Sequence, residues 1–247
     1  MREELKKLCV GCGLCLKSCD LLSEIGQLPS LLAAREVSAE EAFGCSLCGL
    51  CEAVCPKGLA PWQLFAQRRA EAAASGEIDA ADWRWLLPDQ KKNVMQVYRD
   101  VYQPEGLKES VFSEAEVVFF PGCTMLTYAP QLTKKIYQLL AAQQGCQGIW
   151  ADCCGKPLEQ FGLIKRKQKM EDKLIAFAQK HGVRTVITAC PNCYYTMQPL
   201  AAKAGVEIRT LYEMLTFLPR EKGSSAQICT VHDACPDRKT GIVARQV

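Results

Sequence analysis

The sequence predicts an α+β chain of two domains: an all-α domain over residues 1–110 and an α/β domain with a parallel sheet over residues 111–247. Three observations predict it. The 16 cysteines of this 247-residue chain fall in two groups, eight from residue 9 to 55 and eight from 123 to 235, with none between. No convincing strand pattern precedes residue 115, whereas strand-length apolar runs alternate with helical ones after it. The charge also divides: residues 1–110 hold 13 Lys/Arg against 16 Asp/Glu, and residues 111–247 hold 17 against 11. The boundary is expected near residue 110, beside Gln103-Pro104-Glu105-Gly106.

In the first domain, Leu31 to Phe43 favours helix, with Ser38 as a candidate N-cap. Pro61 precedes the Ala-, Gln- and Arg-rich run Trp62 to Ala74, a place where a helix tolerates proline. From Asp89 to Tyr102, the residues Val94, Met95, Tyr98, Val101 and Tyr102 recur at helical spacing. In the second domain, Val117 to Phe120 reads as a buried strand stopped by Pro121-Gly122. A helix with Leu132, Ile136, Leu139 and Leu140 on one face follows and stops near Gly145. Cys146 to Trp150 is a short strand. A helix with Met170, Leu174, Phe177 and Ala178 ends at Gly182. Val183 to Thr188 is a strand, Cys193 to Ala204 a helix, and Val206 to Leu211 and Ala226 to Val231 further strands. Strands and helices alternating at this length imply a parallel sheet covered on both faces.

Apolar residues make up 49% and charged residues 23% of the chain, ordinary values for a globular protein. A net charge of +3 is too small to suggest a nucleic-acid partner. Met1 to Lys7 carries acids and has no apolar core, so no signal peptide is expected. The longest uncharged stretch, Thr185 to Ala202, contains two prolines and makes a poor membrane span. A cytoplasmic setting is therefore expected, in which thiols stay reduced and serve metals or catalysis. Neither G-x-G-x-x-G after a strand nor G-x4-G-K-[ST] occurs, so no dinucleotide or nucleotide site is indicated, and a flavin would sit on another polypeptide. Lys165 to Lys169 reads first as a solvated helix start, and more boldly as a docking patch for an acidic redox partner.

The N-terminal cysteines form two runs, Cys9-x2-Cys12-x2-Cys15-x3-Cys19 and Cys45-x2-Cys48-x2-Cys51-x3-Cys55-Pro56. This is the spacing of two-cluster bacterial ferredoxins. Three thiolates on a tight loop wrap one side of an iron–sulfur cube, and the fourth faces the other cube. One [4Fe-4S] cubane is thus expected on Cys9, Cys12, Cys15 and Cys55, and a second on Cys45, Cys48, Cys51 and Cys19. Gly11, Gly13 and Gly49 permit close backbone approach. Zinc is the bland alternative, but two complete four-cysteine runs exceed its needs. Asp20 stands where a ferredoxin commonly has proline.

The C-terminal cysteines follow another pattern: Cys123, then Cys153-Cys154-Gly155, then Cys190-Pro191-Asn192-Cys193. Each group comes just after an expected strand, and the carboxyl ends of parallel strands share one edge where ligands bind. Adjacent cysteines suit neither one compact zinc site nor a disulfide comfortably. Cys190-x2-Cys193 alone also fits a thioredoxin-like redox site, with a thiolate at a helix N-terminus.

This pattern resembles the CCG motif of heterodisulfide-reductase-type iron–sulfur proteins. With the two ferredoxin runs before it, nearly the whole chain resembles one family. That family includes the D subunit of heterodisulfide reductase, the C subunit of anaerobic glycerol-3-phosphate dehydrogenase and the iron–sulfur subunit of glycolate oxidase. The resemblance implies that Cys123, Cys153, Cys154, Cys190 and Cys193 hold a non-cubane [4Fe-4S] cluster. Family members commonly carry two such motifs. His232-Asp233-Ala234-Cys235-Pro236 is similar to the opening of a second, but no second Cys-Cys pair follows before Val247. Activities needing two non-cubane centres are not expected of this chain alone, and a second chain is one source of the missing half.

The expected function is electron transfer, with two cubanes relaying to or from a non-cubane centre. The expected partners are a flavoprotein or other redox subunit, and a disulfide, quinone-linked or other acceptor, within a hetero-complex or homo-oligomer. No catalytic residue is assigned. One alternative is a disulfide reductase working at the non-cubane centre; another is a ferredoxin module with a structural zinc domain. Cys146 and Cys229 are expected in the core, His181 at a helix end on the surface, and the four tryptophans in packing, with Trp83 and Trp85 as alternative edges of a partner interface. The roles of Cys235 and His232 stay open.

Overall fold

The computed structural model describes residues 1–102, 112–215 and 234–246. The chain packs as two units. The first comprises Met1–Trp83, Leu158–Ile164 and Cys235–Gly241; the second comprises the described residues of Arg84–Pro157, Lys165–Ala234 and Ile242–Val247. The boundary expected near residue 110, the strand expected at Ala226 to Val231, and the residues Cys229, His232 and Asp233 lie outside the described residues.

The first unit is built from short helices: α1 (Arg2–Leu8), α2 (Leu14–Ser18), α3 (Asp20–Ile25), α4 (Pro29–Ala34), α5 (Ala39–Gly44), α6 (Leu50–Ala53) and the longer α7 (Trp62–Ser75). Among its described residues there is no strand. Helix α1 packs on α4, α5 on α7, and α2 on α3 and α6. Leu5, Leu22, Leu32, Val37, Leu64 and Phe65 fill the core, and Cys15 and Cys51 are buried among them. The single helix expected over Leu31 to Phe43 is in fact two. Arg35 is extended, and Ser38 starts α5 with a capping box: its hydroxyl accepts from the Glu41 amide at 3.1 Å, and Glu41 accepts from the Ser38 amide at 2.8 Å.

The second unit holds α8 (Val94–Tyr102), β1 (Val117–Phe120), α9 (Cys123–Tyr128), α10 (Pro130–Gln144) and β2 (Gly148–Ile149). After α11 (Lys156–Gln160), which runs on into the first unit, come α12 (Ile164–Lys180), β3 (Thr185–Thr188), α13 (Pro191–Thr196), α14 (Gln198–Ala204), β4 (Glu207–Thr210) and α15 (Leu211–Met214). The sheet is four-stranded and parallel, in the order β2-β1-β3-β4. Alternate residues of one strand enter opposite layers. Val118 and Phe120 pack with Trp150, Leu174, Val186 and Ile208 on one face; Phe119 packs with Ile136, Leu140, Ile149 and Ile187 on the other. Each large side chain fully buried here contributes about 1.5–3 kcal/mol.

Three expectations need correction. Helix α8 begins at Val94 rather than Asp89, because the Asn93 side chain accepts from the Gln96 amide at 3.0 Å and so caps it. The helix expected over Cys193 to Ala204 breaks at Met197, since Pro199 has no N–H with which to continue it. On α10, Leu132 is half exposed and Thr133 takes the buried position, its hydroxyl donating to the Met125 and Ala129 carbonyls. The core position expected for Cys146 is observed. His181 lies past the end of α12, its ring 4.3 Å from that of Phe177. Among the described residues, no helix is long and apolar enough to cross a membrane.

Candidate metal centres

The two N-terminal cysteine runs fold alike. In each, the Gly-Leu between the second and third cysteines turns the chain into a helix: Gly13 (φ 71°) caps α2 and Gly49 (φ 72°) caps α6. Two residues earlier the backbone is left-handed again, at Gly11 (φ 71°) in the first loop and at Leu47 (φ 52°) in the second. A leucine there is strained, and the loop holds it: the Leu47 amide points at Cys45 Sγ, 3.4 Å away. The fourth cysteine of the first run, Cys19, ends α2 and begins α3, with Asp20 in the first turn where an acid is favoured.

The runs cross over. Cys9, Cys12, Cys15 and Cys55 line one recess, walled by Leu14, Leu28, Pro29 and Leu59, and Cys51 lines it too. Cys19 stands with the second loop, close enough to Cys45 and Cys51 to act on their charge. Burial, followed by the Cys45, Cys19 and Cys48 thiolates, pushes the Cys51 thiol up to about 12. Burial likewise raises Cys15, reinforced by Cys9 and Cys12. Cys48 behaves differently: burial pushes it up, but the Leu50 amide, the Ser46 hydroxyl and Arg238 together hold it below the ordinary thiol value. All-sulfur donor sets in apolar walls, with amides turned toward sulfur, fit iron–sulfur clusters.

In the second unit, β1, β2 and β3 are neighbours and their carboxyl ends lie at one edge. Cys123 starts α9 after β1, Cys153 and Cys154 follow β2, and Cys190 and Cys193 flank the start of α13 after β3. All five meet. Cys153 stands against Cys123 and Cys154, and Cys193 against Cys154 and Cys190. The neighbouring sulfurs and burial raise the Cys153 and Cys193 thiols, while their neighbours hold Cys123, Cys154 and Cys190 down, Cys190 to about 7. Cys153, Cys154 and Cys193 are buried; Cys123 and Cys190 are half-buried. Five thiols gathered at one sheet edge make an all-sulfur donor set of the kind that fits an iron–sulfur centre.

Four further residues shape this site. Gly122 has φ 81°, and a Cβ there would stand 3.1 Å from Cys193 Sγ and 3.2 Å from Cys190 Cβ. Asp152 accepts the Cys153 amide at 2.8 Å and pairs with Lys173 at 2.9 Å. Arg99 donates to the Ala151 carbonyl at 3.1 Å, and its Nε, buried beside the recess lined by Cys123 and Cys153, has no partner. That orphaned donor fits a bound anionic group. Of the four, only Gly122 leaves a signal in the sequence, as the glycine directly before a cysteine at a strand end. Arg166 in the basic run is paired with Asp89 through bonds of 2.7 and 2.6 Å, and Lys167 with Glu171 at 2.9 Å, so much of that run's charge is already answered. Cys235 is exposed. Among the described residues, no three His, Cys, Asp or Glu side chains surround a single-ion position.

Comparison with known proteins agrees with this layout. Residues 8–60 match the model of the 4Fe-4S dicluster domain, and residues 117–198 that of the cysteine-rich CCG domain. The chain is 26% identical to the B subunit of the fumarate reductase (CoM/CoB) of Methanothermobacter marburgensis, over 85% of this chain and 47% of that protein. It is 22% identical to the D subunit of the dihydromethanophenazine:CoB–CoM heterodisulfide reductase of Methanosarcina barkeri, over 75% and 55% respectively. It is 21% identical to the protein of the same name from Methanosarcina mazei, over 92% and 68%. The chain thus spans about half the length of the first two of these relatives. No solved structure matches. With a 4Fe-4S dicluster domain followed by a cysteine-rich CCG domain, the chain is an iron–sulfur protein similar to the D subunit of heterodisulfide reductase.

Proposed function

We propose that the chain is the electron-transfer subunit of a reductase complex, with Cys9, Cys12, Cys15 and Cys55 holding one [4Fe-4S] cubane, Cys45, Cys48, Cys51 and Cys19 a second, and Cys123, Cys153, Cys154, Cys190 and Cys193 a non-cubane [4Fe-4S] centre. The observation that carries this reading is the meeting of five cysteines at the carboxyl ends of three adjacent parallel strands. Bound clusters supply one-electron carriers. The chain's residues do the rest: thiolates fix the irons, the Leu47 and Leu50 amides point at sulfur, and the apolar walls limit water. Arg99 leaves a buried, unpartnered Nε beside the recess that Cys123 and Cys153 line, where an anionic group would satisfy it. A flavoprotein or other redox subunit is the expected partner, as the relatives bear the names of subunits.

A second reading makes the five-thiol site itself a disulfide reductase, as the printed name of the heterodisulfide reductase relatives suggests for them. Reduction of a disulfide by isolated protein with an artificial donor separates the two. The primary test is metal analysis of anoxically purified protein. Three four-iron centres predict about 12 iron atoms per chain and little zinc. About eight irons with one zinc would instead support a zinc-bearing C-terminal domain and overturn the proposal.

A further inference from the structure

Cations are distributed unequally over the two N-terminal thiol groups. Arg69, on α7, is 7% exposed. Its Nε donates to the Ala42 carbonyl at 2.8 Å, Nη1 to that of Gln160 at 2.6 Å, and Nη2 to those of Phe43 and Cys45. Its guanidinium lies 4.9 Å from the centre of the Phe43 ring. Every hydrogen-bond partner is a neutral carbonyl. A buried cation with no carboxylate is costly unless negative charge lies elsewhere, and its bond to the Cys45 carbonyl places Arg69 at the second cysteine loop.

The second cation comes from far along the chain. Arg238 Nη1 lies 3.3 Å from Cys48 Sγ. Its neighbour Lys239 fastens the segment by an ion pair with Glu52 at 2.6 Å, and the other Glu52 oxygen accepts from Trp62 Nε1 at 2.9 Å. The segment directly follows the His232 to Pro236 stretch, whose likeness to a second cysteine motif gave it no role. On the other thiol group, among the described residues, no arginine or lysine donates to Cys9, Cys12, Cys15 or Cys55. Lys57 lines that recess but is exposed, where water screens its charge.

A cluster gains one negative charge on reduction. N–H bonds to its thiolates and buried cations beside them stabilise the reduced state and raise the potential. We propose that Arg69 and Arg238 act as positioning residues that make the Cys19–Cys45–Cys48–Cys51 site the higher-potential member of the pair, so that a single electron entering the N-terminal domain rests there. The proposal depends on both groups holding cubanes. The step is one-electron reduction by an added donor, and no bond forms or breaks.

The test is a potentiometric titration of the full, cluster-loaded chain without oxygen, reduced with dithionite and followed by EPR. The two cubane signals are assigned beforehand with Cys12→Ser and Cys51→Ser. In the wild type, the signal that Cys51→Ser alters should appear at the higher potential. Arg238→Gln should shift that midpoint to more negative potential and leave the other in place, while Arg238→Lys should restore part of the shift. Arg69→Lys, which keeps the charge, should move it less than Arg69→Gln; because Arg69→Gln risks misfolding, Arg238→Gln decides. An unmoved midpoint in Arg238→Gln, equal shifts of both signals, or the opposite order in the wild type overturns this proposal while both cubanes stand. Wild-type protein that shows no pair of cubane signals overturns the cubane reading itself, and this proposal with it.

Discussion

At the scale of single residues, the cysteines were legible because spacing reports chemistry, while the residues that position them were not. Leu47 takes a left-handed backbone that the matching position, Gly11, adopts without strain. A leucine there carries no turn signal, and the loop's bond toward Cys45 outweighs its preference. Arg69 and Arg238 look like surface arginines in sequence, and only the fold brings Arg69 to the Cys45 carbonyl and Arg238 to Cys48 Sγ. Glu41 gives the clearest stability prediction. The bidentate bond from Arg35, at 2.9 and 2.5 Å, holds its carboxyl down at about 2. Its folded value lies below its ordinary value of 4.5, so the stabilisation is complete above 4.5 and lost as pH falls toward about 2. Glu41→Gln should therefore cost about 1 kcal/mol, discounted for the partly exposed arginine, and lower the melting temperature by about 2–4 °C. The loss should be the same at pH 6 and pH 8. A loss that changes across that range would show that another group is responsible.

At the scale of elements, helix interiors and strands were readable and their ends were not. Apolar residues on one face located α10 and α12, composition after Pro61 located α7, and short apolar runs located all four strands of the sheet. The breaks at Arg35 to Val37 and at Met197 depend on a capping box and on Pro199, local competitors that a long apolar run hides. The element-scale prediction concerns Cys19, which lies between α2 and α3 but stands with the second loop. Cys19→Ser should disturb the EPR signal assigned to Cys45, Cys48 and Cys51 and spare that of Cys9, Cys12 and Cys15. Loss of the latter signal would mean that each run serves the cluster beside it in sequence.

At the scale of the whole molecule, the parallel sheet was legible because strands and helices alternate, and it gave one edge on which distant cysteines could meet. The order of the strands was not legible. Nothing in the sequence says that β1 lies between β2 and β3, yet that order places Cys123 between the Cys153-Cys154 pair and the Cys190–Cys193 pair. Nor did the sequence show that Leu158–Ile164 and Cys235–Gly241 pack with the N-terminal helices, since both follow the last of those helices by many residues. The central claim is that five thiols hold one multi-iron centre. A thioredoxin-like pair would need only Cys190 and Cys193, and a single zinc could use at most four of the five. The most direct test is iron content with low-temperature EPR on Cys123→Ser, Cys153→Ser, Cys154→Ser, Cys190→Ser and Cys193→Ser, each prepared without oxygen. Each variant should perturb the same C-terminal signal and keep both cubane signals; a normal C-terminal signal in Cys153→Ser or in Cys154→Ser would contradict the five-thiolate centre.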